Sequence, residues 1–285
     1  MKQDSACASG PLVKNLSDLA EDMLFRDRLR SFLRKTALFL LSLPARISME
    51  REWIIFPYYH HVLDDERTGF NRQLRYMRRF GEFVSLDDAV EILQRPERLG
   101  GRYFCITFDD GFRSGLVNAV PILVDHKCPA AFFVPTDWLG GDTHCEPGRQ
   151  PFGSVGKPLF MEVLTWEDCR QMMAAGMAIG SHTCGHVHSR KVDQQEYERQ
   201  LRESKARIEQ VLGKPCHHFA CPWGRPNLDF EPSVHPQLAR RVGYRSFLTT
   251  LRGPNHAGGD PFMIRRDHTL AADRPYVLRY FFSRE

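Results

Sequence analysis

The chain has 285 residues, enough for one large α/β domain with a substantial core or for two smaller domains. Its 42% hydrophobic and 26% charged residues are typical of a soluble globular protein. A net charge of +4, without a dense basic cluster interleaved with aromatic residues, argues against a nucleic-acid partner. Eight cysteines are spread without a CxxC pair, which argues against a zinc ribbon and favours a reducing, cytoplasmic compartment.

Residues 1–50 are predicted to form a helical extension ahead of a main domain at 51–285. Within the extension, segment 26–47 places basic residues before an apolar run at 37–45. That run is far shorter than the roughly 20 residues that a transmembrane helix requires. Three interpretations stay open: a helix that packs on the domain, an amphipathic helix in peripheral contact with an anionic membrane, and an export signal translated from Met23.

Beyond residue 50, predicted strands and helices alternate, which indicates βαβ units and a parallel sheet. With at least six such strands and no internal repeat, a closed or nearly closed barrel is favoured over an open sheet. Ser85 and Thr165 are predicted N-caps, and Gly81, Gly176 and Gly213 are predicted to end helices. Strands are predicted at 53–62, 105–108, 130–136, 177–183, 218–224, 244–250 and 262–270. Helices are predicted at 69–81, 85–94, 115–126, 165–176, 194–212 and 235–242, with a loop reaching to about 160.

The stretch "FCITFDDGF" at 104–112 ends a buried strand on two adjacent carboxylates and a glycine. Asp109 and Asp110 repel each other unless a cation or a shared proton compensates them. The pair therefore suggests a metal site, although an Asp-Gly pair after a strand is also ordinary turn chemistry.

The stretch "SHTCGH" at 181–186 supplies two imidazoles that could share such a cation. His182 and His186 are four residues apart, a spacing that on one helical turn brings both rings to the same face. In a parallel barrel the active site lies at the carboxyl ends of the strands. Together with the neighbouring carboxylates, the histidines predict a site of two imidazoles and one carboxylate with open positions. Polar residues also end other predicted strands: His60, His61, 221–225 and 265–268.

Three motifs carry a resemblance to a known family: "TFDDG" at 107–111, "SHTCGH" at 181–186 and "FACPWG" at 219–224. Their order and approximate spacing resemble those of the polysaccharide deacetylases, the NodB-type carbohydrate esterases, over roughly 53–270. The resemblance implies a distorted (β/α) barrel with about seven strands. It also implies a metal-dependent hydrolysis that removes an acyl group, most often acetyl, from an amino sugar of a polysaccharide, oligosaccharide or lipid-linked glycan.

The resemblance also implies roles for individual residues. Asp109 corresponds to the general base. The family binds one divalent metal ion, usually zinc, and its ligands correspond to Asp110, His182 and His186 here. The backbone N–H of Trp223 corresponds to a donor for the oxyanion. The positions expected to contact the substrate are Pro222, Trp223, Gly224 and His60. The rings of Trp138, Trp223 and Tyr59 are candidates for stacking on pyranose rings.

Two departures from the family pattern matter. Ala220 stands where many members carry an arginine that holds the catalytic carboxylate, so Arg266, or else Arg265, is expected to replace it. Consecutive strand residues face opposite sides, so only one of the two can enter the barrel mouth, and the resemblance favours Arg266. The motif that supplies the general acid is also absent, and His268 and His60 are the available imidazoles. Two other functions stay open: a hydrolase of the same fold acting on a non-sugar amide, and a sugar-binding member with weak or no turnover.

Overall fold

A curled sheet of seven parallel strands forms the centre of the computed structural model, which describes residues 12–20, 25–139, 149–152 and 159–284. The order across this sheet is β11-β10-β9-β6-β5-β2-β12, and a second sheet has the order β1-β4-β3. The strands are β1 Trp53–Ile55, β2 Pro57–Tyr59, β3 Glu82–Phe83, β4 Arg102–Phe104, β5 Ile106–Phe108, β6 Ala130–Val134, β7 Arg149–Phe152, β8 Leu159–Glu162, β9 Ala178–Ser181, β10 His218–Ala220, β11 Ser246–Leu248 and β12 Asp267–His268.

The two edges of the seven-stranded sheet meet through the segment that leads into β12. Ile264 forms a parallel bridge with Leu248 of β11, while β12 pairs with β2 on its other side. The N–H of Thr249 donates to the carbonyl of Ile264 at 2.9 Å. The predicted barrel with about seven strands is therefore confirmed.

Helices connect the strands and cover the sheet. They are α1 Leu16–Ala20, α2 Phe25–Ser42, α3 Arg67–Met77, α4 Leu86–Leu93, α5 Val120–Asp125, α6 Thr136–Leu139, α7 Trp166–Ala174, α8 Gln194–Leu212, α9 His235–Val242 and α10 Pro275–Phe282. Short 3-10 turns lie at Asp64–Glu66, Ser189–Lys191 and Pro261–Met263, and a π-helical turn spans Gly115–Ala119.

The predicted helix caps are mostly present. Ser85 Oγ accepts from the N–H of Asp88, and Thr165 and Asp168 form a reciprocal capping box. Helix α8 ends at Gly213, whose φ of +66° is the left-handed conformation that glycine adopts without a steric penalty. Helix α7 ends at Ala174, and Gly176 follows with a φ of +86°.

Several sequence predictions are wrong in detail. The predicted loop before residue 160 contains α6 and the antiparallel pair β7 and β8. Helix α3 ends at Met77 rather than Gly81, because the chain turns there into β3, which pairs with β4. Most of the predicted strand 262–270 is not extended sheet, since Pro261 begins a 3-10 turn capped by Asp260. Met23, Cys7 and Cys145 lie outside the described residues.

Alternation along the strands decides which side chains enter the barrel. On β5, Ile106 and Phe108 pack outward into the larger core cluster beneath the helices. Cys105 belongs to the smaller cluster inside the barrel, against which α4 also packs. Because side chains alternate along a strand, Thr107 and Asp109 share the interior side with Cys105. The strand therefore places Asp109 in the barrel mouth.

Helix α2 lies against the C-terminal helix α10. The rings of Phe39 and Tyr276 meet edge to face at 5.4 Å, and an Nη2 of Arg279 donates to Ser42 Oγ at 3.1 Å. Within the described ranges, no helix combines the length and the apolar character needed to cross a membrane.

Candidate active site

Polar side chains converge at the carboxyl ends of β2, β5, β9, β10 and β12. Asp109 and Asp110 directly follow β5, and His182 directly follows β9. The order β10-β9-β6-β5-β2-β12 brings these ends to one mouth of the barrel. This is the place where parallel barrels carry their active sites.

Arg266 donates two parallel hydrogen bonds to the carboxylate of Asp109. Its Nη1 and Nη2 each lie 2.8 Å from one carboxylate oxygen of Asp109, and its Nε donates to the carbonyl of Thr249 at 2.8 Å. Arg266 is fully buried. Arg265 instead donates from Nε to the carbonyl of Arg252. The expected contact between Arg266 and the carboxylate is therefore present.

The charges around Asp109 keep it ionised. Burial alone would raise its pKa, but the positive charge of Arg266 and its hydrogen bonds outweigh burial, so the pKa lies below its ordinary value. A carboxylate has about four lone-pair sites, so two hydrogen bonds from Arg266 leave sites that can accept a proton.

Asp110, His182 and His186 present three ligand atoms to one point. Asp110 Oδ1 lies 3.4 Å from His182 Nε2 and 3.2 Å from His186 Nε2, and one ligand atom from each residue lies within 4.8 Å of the others. Asp110 Oδ1 is buried and has no hydrogen-bond partner of good geometry in the described structure. Two imidazole nitrogens and a carboxylate oxygen are a common donor set for zinc and other divalent metals. The residues present therefore fit a divalent cation.

A backbone carbonyl fixes the orientation of His182. His182 Nδ1 lies 2.7 Å from the carbonyl oxygen of Ala220. Because a carbonyl only accepts, Nδ1 must carry the proton, and Nε2 keeps its lone pair toward Asp110. The group that orients His182 is thus a backbone carbonyl, which no side-chain motif reveals.

The segment after His182 is not the helical turn that the spacing of four predicts. Residues 182–188 are non-helical, and Thr183 and His186 have positive φ angles of 66° and 54°. Gln200 of α8 holds the loop, because its Oε1 accepts from the N–H groups of Cys184 and Gly185. The two imidazoles converge through this braced loop. Gln200 lies within an ordinary amphipathic helix, so no sequence signal identifies its role.

Unfavourable backbone conformations concentrate at the site. Six non-glycine residues of the described chain have positive φ, and four of them lie in the three motifs: Asp110, Thr183, His186 and Trp223. Such a conformation costs roughly 1–2 kcal/mol for a residue with a Cβ. Strain of this kind persists where the surrounding structure holds it and clusters at functional sites.

Trp223 is the exposed member of the "CPWG" loop. Its side chain is 46% exposed, whereas Pro222 and Gly224 are buried. The ring lies 4.5 Å from that of His186 and 5.0 Å from that of His188. Its backbone N–H donates to no backbone acceptor within the described ranges. Thr250 holds the loop, donating to the carbonyls of Trp223 and Gly224.

His60 and His268 form an imidazole pair beside Asp110, near its second carboxylate oxygen. Their ring centroids are 5.2 Å apart, and His60 Nε2 lies 3.9 Å from Asp110 Oδ2. Burial lowers the pKa of His60, and burial together with the neighbouring His60 ring and the Arg252 guanidinium lowers the pKa of His268 to about 3. Both rings are therefore neutral at neutral pH in the metal-free protein.

Of the three aromatic candidates for sugar stacking, the structure leaves two near the site. Trp138 lies 5.3 Å from His186, on which Trp223 also packs. Tyr59 is fully buried against Phe70 and Phe108, and its hydroxyl donates to Gln73. The expectation that Tyr59 could meet a sugar is wrong, because its strand position faces the core.

Solved structures and a curated relative resemble this chain. The IcaB structure from Ammonifex degensii is 22% identical with a TM-score of 0.66, covering 82% of this chain and 98% of that one. The Streptococcus pyogenes deacetylase PplD, solved with acetate, is 21% identical with a TM-score of 0.64, covering 81% and 97%. At these identities the likeness establishes the fold, a NodB-type deacetylase barrel.

The sequence comparisons establish the family. YxkH from Bacillus subtilis (strain 168), which carries the provisional name of a polysaccharide deacetylase, is 24% identical over 166 residues. The alignment covers 58% of this chain and 51% of YxkH, so the chain spans about half the length of that relative. The sequence pattern described as polysaccharide deacetylase matches residues 97–247, more than half of the chain. The chain therefore belongs to the polysaccharide deacetylase family.

Proposed function

We propose that the protein is a metal-dependent hydrolase that removes an acetyl group from the nitrogen of an amino sugar in a glycan or lipid-linked sugar. One observation carries the proposal: an ionised carboxylate, Asp109, lies in the same barrel mouth as the ligand set Asp110, His182 and His186. Family membership and the exposed ring of Trp223 support a sugar substrate.

Asp110, His182 and His186 would hold the metal ion, and zinc suits this donor set. When bound, a divalent cation supplies a Lewis acid that polarises the acyl carbonyl and acidifies water.

The protein's own groups perform the proton transfers. Asp109 takes a proton from the attacking water, and Arg266 keeps the carboxylate ionised and fixed while it does so. The N–H of Trp223 donates to the oxygen that becomes negatively charged as water adds to the carbonyl. The sugar nitrogen must gain a proton as its bond to the acyl carbon breaks. Asp109 delivers this proton directly or through His60 or His268. Acetate and a free amine result from one amide and one water.

Acetate release from an N-acetylglucosamine oligomer tests the proposal. The protein treated with a chelator and then supplied with zinc is expected to release acetate, and the chelated protein is not. Asp109→Asn serves as the inactive control with the metal ligands intact. Turnover of small non-sugar acetamides without turnover of the oligomer would establish the other hydrolase. Oligomer binding without acetate release would establish a binding protein.

A further inference from the structure

Helix α2 and the turn after it present apolar side chains to solvent. Five of them, which we call the α2 patch, are each at least half exposed: Leu33, Leu40, Leu41, Leu43 and Met49. Exposed leucines are ordinary when scattered, but a contiguous apolar surface usually marks an interaction site.

The α2 patch faces away from the domain. Ser42 is buried and bonded to Arg279 of α10, and Phe39 packs on Tyr276 of the same helix. Leu33 and Leu40 are seven residues apart and lie on one helical face, offset from the packed residues. The side of α2 that contacts α10 is therefore distinct from the side that carries the patch.

The charges near the patch are mainly positive. Residues 26–50 contain six basic residues and two acidic ones, Asp27 and Glu50. Arg34 and Arg46, two of the six basic residues, are exposed. A second copy related by two-fold symmetry would bring these positive charges together across the interface. An anionic lipid surface would instead pair with them and receive the leucines at its acyl boundary.

We propose that the α2 patch binds the surface of an anionic lipid bilayer, with α2 lying in the plane of the interface. The α2 patch shares no residue with the barrel mouth. Vesicle binding and deacetylation are therefore separable by experiment.

Vesicle flotation of the full chain tests the proposal. The protein is expected to float with phosphatidylcholine vesicles that contain phosphatidylglycerol and to float less with phosphatidylcholine alone. The double variant Leu40→Ser and Leu41→Ser should lower the partition coefficient by at least about tenfold, since burying a leucine contributes about 1.5–3 kcal/mol. The double variant Arg34→Gln and Arg46→Gln should remove most of the dependence of the partition coefficient on phosphatidylglycerol, a change of roughly tenfold.

Two controls keep the test decisive. Val124→Ser replaces an apolar side chain that is 48% exposed on α5, away from the α2 patch, and should leave flotation unchanged. The leucine variant should keep its thermal midpoint and its acetate release from a soluble oligomer. Failure of the parent protein to float, or equal flotation of the leucine variant, overturns the proposal. A dimer in solution that the leucine variant dissociates, with flotation unaffected, would assign the patch to a second copy instead.

Discussion

The orientation of the Asp109 carboxylate depends on one buried arginine, Arg266. Arg266 makes two hydrogen bonds to Asp109 and a third to the carbonyl of Thr249, so its guanidinium has a fixed position. Lysine carries the same charge but cannot reproduce two parallel hydrogen bonds.

We therefore expect Arg266→Lys to lower kcat by roughly tenfold to a hundredfold, because a small misplacement of a catalytic group has an effect of this size. Bound metal should stay unchanged, since Arg266 contacts none of the three ligand side chains in the described hydrogen bonds. Steady-state kinetics with metal analysis checks both. Arg265→Lys is the matched control and should change little. A loss of kcat in Arg265→Lys but not in Arg266→Lys would mean that Arg265, and not Arg266, orients Asp109.

Much of the site can be predicted from sequence because its side chains lie in recognisable motifs. The contacts that backbone groups make in the site cannot be predicted in this way. Alternation predicts only that one of Arg265 and Arg266 enters the barrel mouth, and the resemblance to the family was needed to favour Arg266 as the partner of Asp109. The carbonyl of Ala220 that orients His182 carries no sequence signature, because every residue has one. Gln200 is hidden for a related reason, since its helix position is equally compatible with a surface role.

At the level of elements, the loop 221–224 links β10 to the site. Trp223 and Gly224 both have positive φ, and Thr250 bonds to the carbonyls of both. A Cβ on Gly224 would lie 2.9 Å from the carbonyl oxygen of Cys221 and 3.0 Å from the backbone N of Thr250. The backbone is therefore closely packed where the proposed oxyanion donor is placed.

Gly224→Ala should both destabilise the protein and reduce kcat, because the loop must shift to relieve these backbone contacts. Gly213→Ala is a matched control, since Gly213 has a φ of +66° but a Cβ there would meet no atom of the described residues within 4 Å. The control should lower the free energy of unfolding by only roughly 1–2 kcal/mol, because alanine is strained in the left-handed conformation, and it should leave kcat unchanged. Urea unfolding and acetate release measure the two effects. Equal stability losses with unchanged kcat in both variants would show that the loop tolerates the added methyl group.

Elements with strong periodicity or caps were predictable, and elements made by distant pairing were not. Helices α4, α7 and α8 have capping residues that define their starts. The pair β7 and β8 depends on contacts between two separated stretches, which no local pattern reveals. Strand β12 is short because its pairing with β2 begins only after the 3-10 turn at Pro261.

For the molecule as a whole, closure of the barrel buries an ionisable group beside the site. Asp267 of β12 is 1% exposed, its Oδ1 lies 3.3 Å from Arg252 Nη1, and its Oδ2 has no hydrogen-bond partner within the described ranges. Burial, only partly offset by Arg252, raises the pKa of Asp267 to about 6.

The raised pKa makes folding stability depend on pH. The folded protein binds this proton more tightly than the unfolded chain, whose aspartate pKa is about 3.9. The contribution of Asp267 to the free energy of unfolding is thus present below about pH 4 and lost as pH rises through about 6. Asp267→Asn does not titrate, so its stability relative to the parent should rise over that window, by up to about 3 kcal/mol. Urea unfolding at several pH values measures this difference, with the exposed Asp125→Asn as control. A difference that is constant from pH 4 to 7 would contradict the assignment.

The most direct test of the proposed chemistry separates the two adjacent carboxylates in one experiment. Asp109→Asn and Asp110→Asn are each purified with zinc, checked for folding by circular dichroism, and measured for bound metal and acetate release. The parent protein should bind one metal ion per chain. Asp109→Asn should keep the metal while losing turnover by about 10²-fold to 10⁴-fold, the range for a general base. Asp110→Asn should lose both the metal and turnover. Equal loss of metal in the two variants would contradict the division of roles between base and ligand.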